Sequence, residues 1–535
     1  MGLLQLHWLI SSSQQRDRRR RGGSIASLGK RKRKPCLQDD EATRAVNKME
    51  PCLPEDIWHH IHSLLPLQDA ARAACVSRAF QRSWRCRPNL IFSQETLSLI
   101  KEGYEEGNEI SVDGSGYLVR TINRIVGKHI GIGLKALKLE LLDCTDISNL
   151  KSWLRFAIKS QVEELSLCLH NDFTDVYNFP WSLLSEGRGN SIRSLHLSCC
   201  VFHPVVGLGF LRNLSILELY GVCITGDELG SLLSSSLALE ELHIMDCSEI
   251  ICLKIPVLLH RLSLLVVSEC GNLEVIESEA PNLSTFVYSG VQVQFSFGDS
   301  LQDLTIMASG WDEIVGYARA RLPRMVPKLE ALDICTSFER DTLVVPGEFL
   351  YLKHLTISFV ALSSGFCPDY DYLSLVSFLD ACPALETFTL SVSQDRMDHV
   401  PVSGGPLRQM TGHLHNNLKA VSISGFCSAK SMVELTRHIL EHAKSLERLV
   451  LDPSASDVRC CSDKSSSCLP ISRRMVMEAR RAVSTVEKYI LGSVPSTVKL
   501  TLLEPCARCH GRSLTPHSPQ PSTRISSANN AESHD

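Results

Sequence analysis

The chain has 535 residues, 44% hydrophobic and 21% charged, with a formal net charge of −4. That composition supports a large core and excludes a wholly disordered chain. No apolar stretch reads as a membrane span, because charge or proline breaks each one, as Lys254, Pro256 and Arg261 do.

Residues 1–48 are charged, Ser/Gly-rich and without periodicity, which predicts a disordered basic arm. The opening ten residues are apolar, but the positive cluster follows them, the wrong order for a secretory signal. Leu6 also breaks the myristoylation pattern that would begin at Gly2. Two clusters, Arg18-Arg19-Arg20-Arg21 and Lys30-Arg31-Lys32-Arg33-Lys34, flank a polar spacer in the form of a bipartite import signal. The expected location is therefore nucleus and/or cytoplasm. Met49 offers a second start, directly before the compact sequence. Without an export signal the 21 cysteines read as reduced thiols. For the same reason the sequons at Asn213 and Asn282 read as turn residues before strands.

Residues 49–92 read as a small helical unit. Ile57, Ile61, Leu64 and Leu65 form an i, i+4, i+7, i+8 stripe that Pro66 ends. Asp69 opens the next helix, and Ala73, Val76, Phe80 and Trp84 share a face from Ala70 to Trp84. Taken together, Leu53-Pro54, Ile57, Ile61, Leu64-Leu65-Pro66, Asp69, Arg72 and Val76-Ser77-Arg78 resemble an F-box, with Phe80 near a position where many F-boxes carry Trp. The resemblance implies binding to a Skp1-like adaptor. It places Leu53, Pro54, Ile57, Leu64, Leu65 and Pro66 at the adaptor surface, with Ile61 on the same stripe.

After a helical connector at 93–133, a pattern L-x-x-L-x-L returns through residues 134–452. Its best copies are Leu239-x-x-Leu242-x-Ile244-x-x-Cys247, Ile192-x-x-Leu195-x-Leu197-x-x-Cys200 and Leu262-x-x-Leu265-x-Val267-x-x-Cys270. The central residues are Leu137, Leu165, Leu195, Leu217, Leu242, Leu265, Phe286, Leu304, Leu332, Leu355, Phe388, Val421 and Leu449. They lie about 18 to about 33 residues apart, around the spacing of leucine-rich repeats. Each repeat supplies one strand that cannot bury its apolar face alone, so stacking makes the core. The fold class predicted is α/β: a helical unit followed by a horseshoe solenoid. The longer repeats leave room for convex-side helices, as at Ser431–Ala443, where Met432, Leu435 and Ile439 have helical spacing.

Residues alternating with the core leucines should face outward on the concave side. Glu218, Tyr220, His243, Met245, Thr305 and Met307 are the candidate target-binding residues. Lys138 and Glu140, His196 and Ser198, and a later run of Ser and Thr share these rows. Lys and Arg are almost absent, apart from Lys138 and Arg448, so phosphate-rich ligands such as nucleic acid are not expected. A protein or peptide target is.

Residues 453–470 read as a loop, 471–510 as a cap and 511–535 as a disordered tail. In the cap, Val476, Ala479, Val483, Val486 and Ile490 have helical spacing, and Val498, Leu500 and Leu502 alternate as in a strand. Cys460, Cys461, Cys468 and the string Cys506-x-x-Cys509-His510 are irregularly spaced for zinc and are read as structural thiols. The string also matches c-type haem attachment, which requires export. No metal, cofactor or catalytic residue is assigned, since no phosphate loop or nucleophile signature appears.

Residues 425–431, 494–498 and 504–510 resemble the terminal block of a plant F-box/leucine-rich-repeat family. That resemblance covers roughly residues 53 to 510. It implies a non-catalytic substrate receptor of an SCF-type ubiquitin ligase, reaching a cullin/RING complex through its adaptor. The other reading is a repeat scaffold or ligand sensor that engages no ligase.

Overall fold

The computed structural model describes residues 55–506, except 77, 94–95, 97–113, 142–146, 171–175, 186–188, 205–210, 309–310, 312, 338, 340–346, 361–369, 394–398, 400, 404, 411–412 and 455–471. The basic arm, Leu53, Pro54, Cys460, Cys461, Cys468, Cys509 and His510 lie outside the described residues.

The repeat pattern produces what its period demands. Among the described residues, fifteen parallel strands stand side by side in one open sheet, from Asn89–Phe92 to Lys499–Leu502. The thirteen central residues read from the sequence form one registered row. Leu137 stands beside Leu165, Leu165 beside Leu195, and so on through Phe286 and Phe388 to Leu449. None of the thirteen is more than 2% exposed. A one-residue slip would turn the whole row to solvent, so burial itself holds the register.

The sheet begins earlier than the pattern. Asn89–Phe92, inside the stretch read as the helical unit, is its first strand, and Leu90 pairs with Leu137. Four residues after Pro88 carry too little of the pattern to be recognised. The expected connector helix forms at Gly114–Lys128 and buries Leu118, Val119 and Ile122.

Repeat length decides how the chain returns. Longer repeats carry helices, at Leu150–Lys159, Gly226–Ser235, Ile314–Met325 and Lys430–His442, the last matching the helix expected there. Three of the shorter repeats, with central residues 23, 21 and 18 apart, lack the residues for a helix. They return instead through Cys252–Ile255, Val275–Ser278 and Gln294–Phe297, which form a second parallel sheet. Phe295 and Phe297 of that sheet pack on Phe286, with ring centroids 5.6 and 4.8 Å away.

Leaving the strand requires a sharp turn. Cys199, Gly221, Asp246 and Glu269 each follow a strand with φ between 51° and 57°. Each donates its backbone N–H to the next strand, for example Asp246 to the Ser268 carbonyl at 2.9 Å. A left-handed conformation costs an L-residue roughly 1–2 kcal/mol, here offset by the ladder bond and by burial of the following Cys200, Cys247 or Cys270. The sequon residues serve the turns on the opposite side. Asn213 and Asn282 donate their side-chain amides to the Asn190 and His260 carbonyls of the preceding repeat.

Candidate functional site

Two surfaces and one side-chain cluster stand out. The first surface is the N-terminal three-helix unit, Glu55–Ser63, Leu67–Val76 and Arg78–Arg85. Proline lacks an N–H and ends the first helix, while the Pro66 carbonyl accepts the first bond of the second, from Ala70 at 2.9 Å. The buried Arg87 guanidinium closes the first helix by donating to the His62 and Leu65 carbonyls at 3.0 and 2.6 Å. Such capping satisfies carbonyls that a helix C-terminus leaves bare. Half-buried Phe80 packs edge-on against Trp58 with centroids 5.0 Å apart, an aromatic contact within the unit.

The stripe divides between surface and interior. The first helix ends at Ser63, and Leu64 is 71% exposed, Ile57 40% and Pro66 exposed, while Ile61 and Leu65 are half-buried. The single face expected from Ala70 to Trp84 is also corrected. Leu67–Val76 and Arg78–Arg85 are separate helices, and Val76 turns out to 86% exposure. Among the described residues the unit therefore leaves Ile57, Leu64 and Val76 in solvent. Leu53 and Pro54, assigned to the same surface, fall outside the described residues.

The second surface is the outward row of the sheet, in register from Lys138 through Ser166, His196, Glu218, His243, Val266, Val287 and Thr305 to Asp333. Glu218, Tyr220, Met245, Thr305 and Met307 are half-buried and accessible, as expected. His243 is not. It is 5% exposed between Glu218 and the equally buried Val266, with its Nε2 3.5 Å from Glu241 Oε2. Ser198, at 6%, is likewise withdrawn. Alternation places such residues on the outward side, but large neighbours in register cover them.

The N-terminal part of this face carries paired charge. Lys138 Nζ lies 2.5 Å from Glu164 Oε1, and His196 Nδ1 lies 2.6 Å from Glu218 Oε2. Burial pulls the His196 pKa down, but hydrogen bonds with Cys168 and Glu218 outweigh it and raise the value to about 9. The Glu218 carboxyl is held below its usual range, first by the bond from His196. A cation whose folded-state pKa is raised stabilises fully below its unfolded value of 6.5, and the contribution is lost as pH rises through about 9. Glu218→Gln should accordingly lower the urea midpoint most near about pH 6 and hardly at all above about pH 10. A deficit that does not vary with pH contradicts the pairing.

The cluster was not read from the sequence. Asp380, at the end of a short helix Val376–Asp380, meets His415 and His438. One potential ligand atom from each lies within 4.8 Å of the others. Burial lowers the pKa of both imidazoles, His438 to about 4. Beside them Arg408 donates to both oxygens of Asp371, at 2.7 and 2.8 Å, and to Glu434 Oε2 at 2.7 Å. A cavity of about 370 Å³ is lined by Arg408, Glu434, His438 and Tyr489 among others.

Three short helices with exposed apolar side chains, leading into an open parallel sheet built on one leucine row, fit an F-box protein with leucine-rich repeats. The F-box domain model matches residues 51–92, and the model described as At1g61320/AtMIF1, LRR domain, matches residues 125–507. The chain belongs to that second family, whose match runs through the segment read as a cap. It is similar to F-box protein At3g59000 of Arabidopsis thaliana, 24% identical over 433 residues, covering 74% of this chain and 85% of that protein. It is also similar to putative FBD-associated F-box protein At1g61330 of Arabidopsis thaliana, 22% identical over 442 residues, covering 77% and 92% respectively.

Proposed function

We propose that the chain is the substrate-recognition subunit of an SCF-type ubiquitin ligase. Its F-box holds a Skp1-like adaptor, and its outward strand face holds a target protein. The observation that carries the reading is the solvent exposure of the apolar side chains Ile57, Leu64 and Val76 on the unit the F-box model matches. The chain itself performs no chemistry in this reading. It holds target lysines near charged E2, where tethering raises the effective concentration of ubiquitin. The accessible part of the strand face, around Tyr220, Met245 and Met307, supplies the aromatic and thioether contacts that protein interfaces favour.

Co-purification from plant cells tests the assignment. Recovery of adaptor and cullin with the tagged chain supports it, and their absence from a folded preparation favours a ligase-independent scaffold. The basic arm adds a proposal about location: Arg18–Arg21 and Lys30–Lys34 direct nuclear entry. A fluorescent fusion starting at Met49 should shift toward the cytoplasm, and unchanged nuclear signal contradicts it.

A further inference from the structure

We propose that Asp380, His415 and His438 form a binding site for a divalent transition-metal ion of the zinc class. The Nε2 atoms of His415 and His438 are both buried without a hydrogen-bond partner, in residues only 7% and 4% exposed. Two orphaned imidazole nitrogens beside a carboxylate are rare in native cores, where buried polar atoms are almost always satisfied. His415 Nε2 lies 3.7 Å from Asp380 Oδ1. A tetrahedral ion with bonds of about 2.0 to 2.2 Å holds its donors roughly 3.3 Å apart, so small side-chain rotations close the set. The donor chemistry, two neutral imidazoles and one carboxylate, is that of zinc and its neighbours, with a fourth position left for water.

The surroundings are organised as an outer shell. His442 Nδ1 donates to the His438 carbonyl at 2.9 Å, and its ring stacks on His438 with centroids 4.0 Å apart. The His415 N–H donates to the His442 carbonyl at 3.1 Å, and the His413 N–H to Asp380 Oδ1 at 3.1 Å. Of these, the His413 bond to Asp380 and the His442 ring stacked on His438 act on the ligand side chains themselves, the kind of contact that fixes ligand orientation in metal sites. His438 also lines the cavity beside Arg408 and Glu434, which gives an ion a way in. The three ligands come from three successive repeats, preceding the strands at Thr387–Ser393, Ala420–Ser424 and Arg448–Asp452. A bound ion would therefore staple the C-terminal repeats together.

The probe is Co²⁺ titrated into the full chain after chelator treatment, followed by displacement with Zn²⁺. The expected result is one ion with the visible absorption of a tetrahedral nitrogen/oxygen site and no thiolate charge-transfer band. His415→Gln and His438→Gln should each weaken binding by more than about 100-fold, beyond what loss of an outer-shell group costs. Asp380→Asn, isosteric and only partly buried, keeps a folded variant available and should also weaken binding. A thiolate band, equal affinity in all variants, or no ion bound overturns the proposal; the last outcome leaves the imidazoles bridged by water alone.

Discussion

Replacing Ile57 and Leu64 together with Ala should abolish capture of a Skp1-like adaptor while leaving the chain folded. Both side chains are largely in solvent, at 40% and 71% exposure, so their truncation removes little of the chain's own packing. If each is an anchor, its loss costs about 2 kcal/mol, and the pair weakens binding about 1000-fold. The structure sharpens the choice of residue. Leu65, which the F-box resemblance also puts at or near the adaptor surface, is half-buried, so its substitution would mix folding with binding. Calorimetric titration of the double variant, with circular dichroism to confirm folding, checks the result. Undiminished affinity in a folded variant removes these two side chains from the interface.

The second large effect concerns the end of the solenoid. Ending the chain after Leu451 should give aggregated protein, because Leu449 and Leu451 would lose their neighbours Leu500 and Leu502. The helix Arg473–Tyr489, which buries Val476, Ala479, Ala482 and Val486, would go with them. A solenoid whose last repeat is uncovered exposes its core edge. One residue concentrates the same contact. Glu478, 4% exposed, accepts from the Ser428 N–H at 2.7 Å and lies 3.0 Å from both His399 Nε2 and Arg481. Burial opposes its charge, but bonds from His399 and Ser428 keep the carboxyl below its usual range. Glu478→Ala should cost about 3–5 kcal/mol, the penalty for breaking a buried pair. Adaptor binding should survive in both variants. A soluble, monomeric, cooperatively melting truncation contradicts the cap.

What the sequence disclosed follows from where the information is local. The row from Leu137 to Leu449 was readable because every copy repeats the same three apolar positions, and each strand repeats the same burial problem. Helix Lys430–His442 was readable for a similar reason, through Met432, Leu435 and Ile439. Strand Asn89–Phe92 and the second sheet were not, since four-residue runs such as Cys252–Ile255 show too little periodicity to separate from turns. The burial of His243 depends on Glu218 and Val266, which reach it only through strand register. The Asp380 cluster is less local still. His438 and His442 stand at i, i+4 and His413 and His415 two apart, a faint signal, but the carboxylate joins them only once three repeats are stacked.

The central claim is that one chain carries an adaptor-binding unit at the start of a target-binding solenoid. Size-exclusion chromatography with light scattering, on the full chain mixed with a purified Skp1-like subunit, tests it most directly. The account predicts a single 1:1 complex that persists when Tyr220, Met245 and Met307 are replaced by Ala. Separate elution of the two folded proteins at about 10 µM, well above the dissociation constant of a specific interface of standard size, would contradict it.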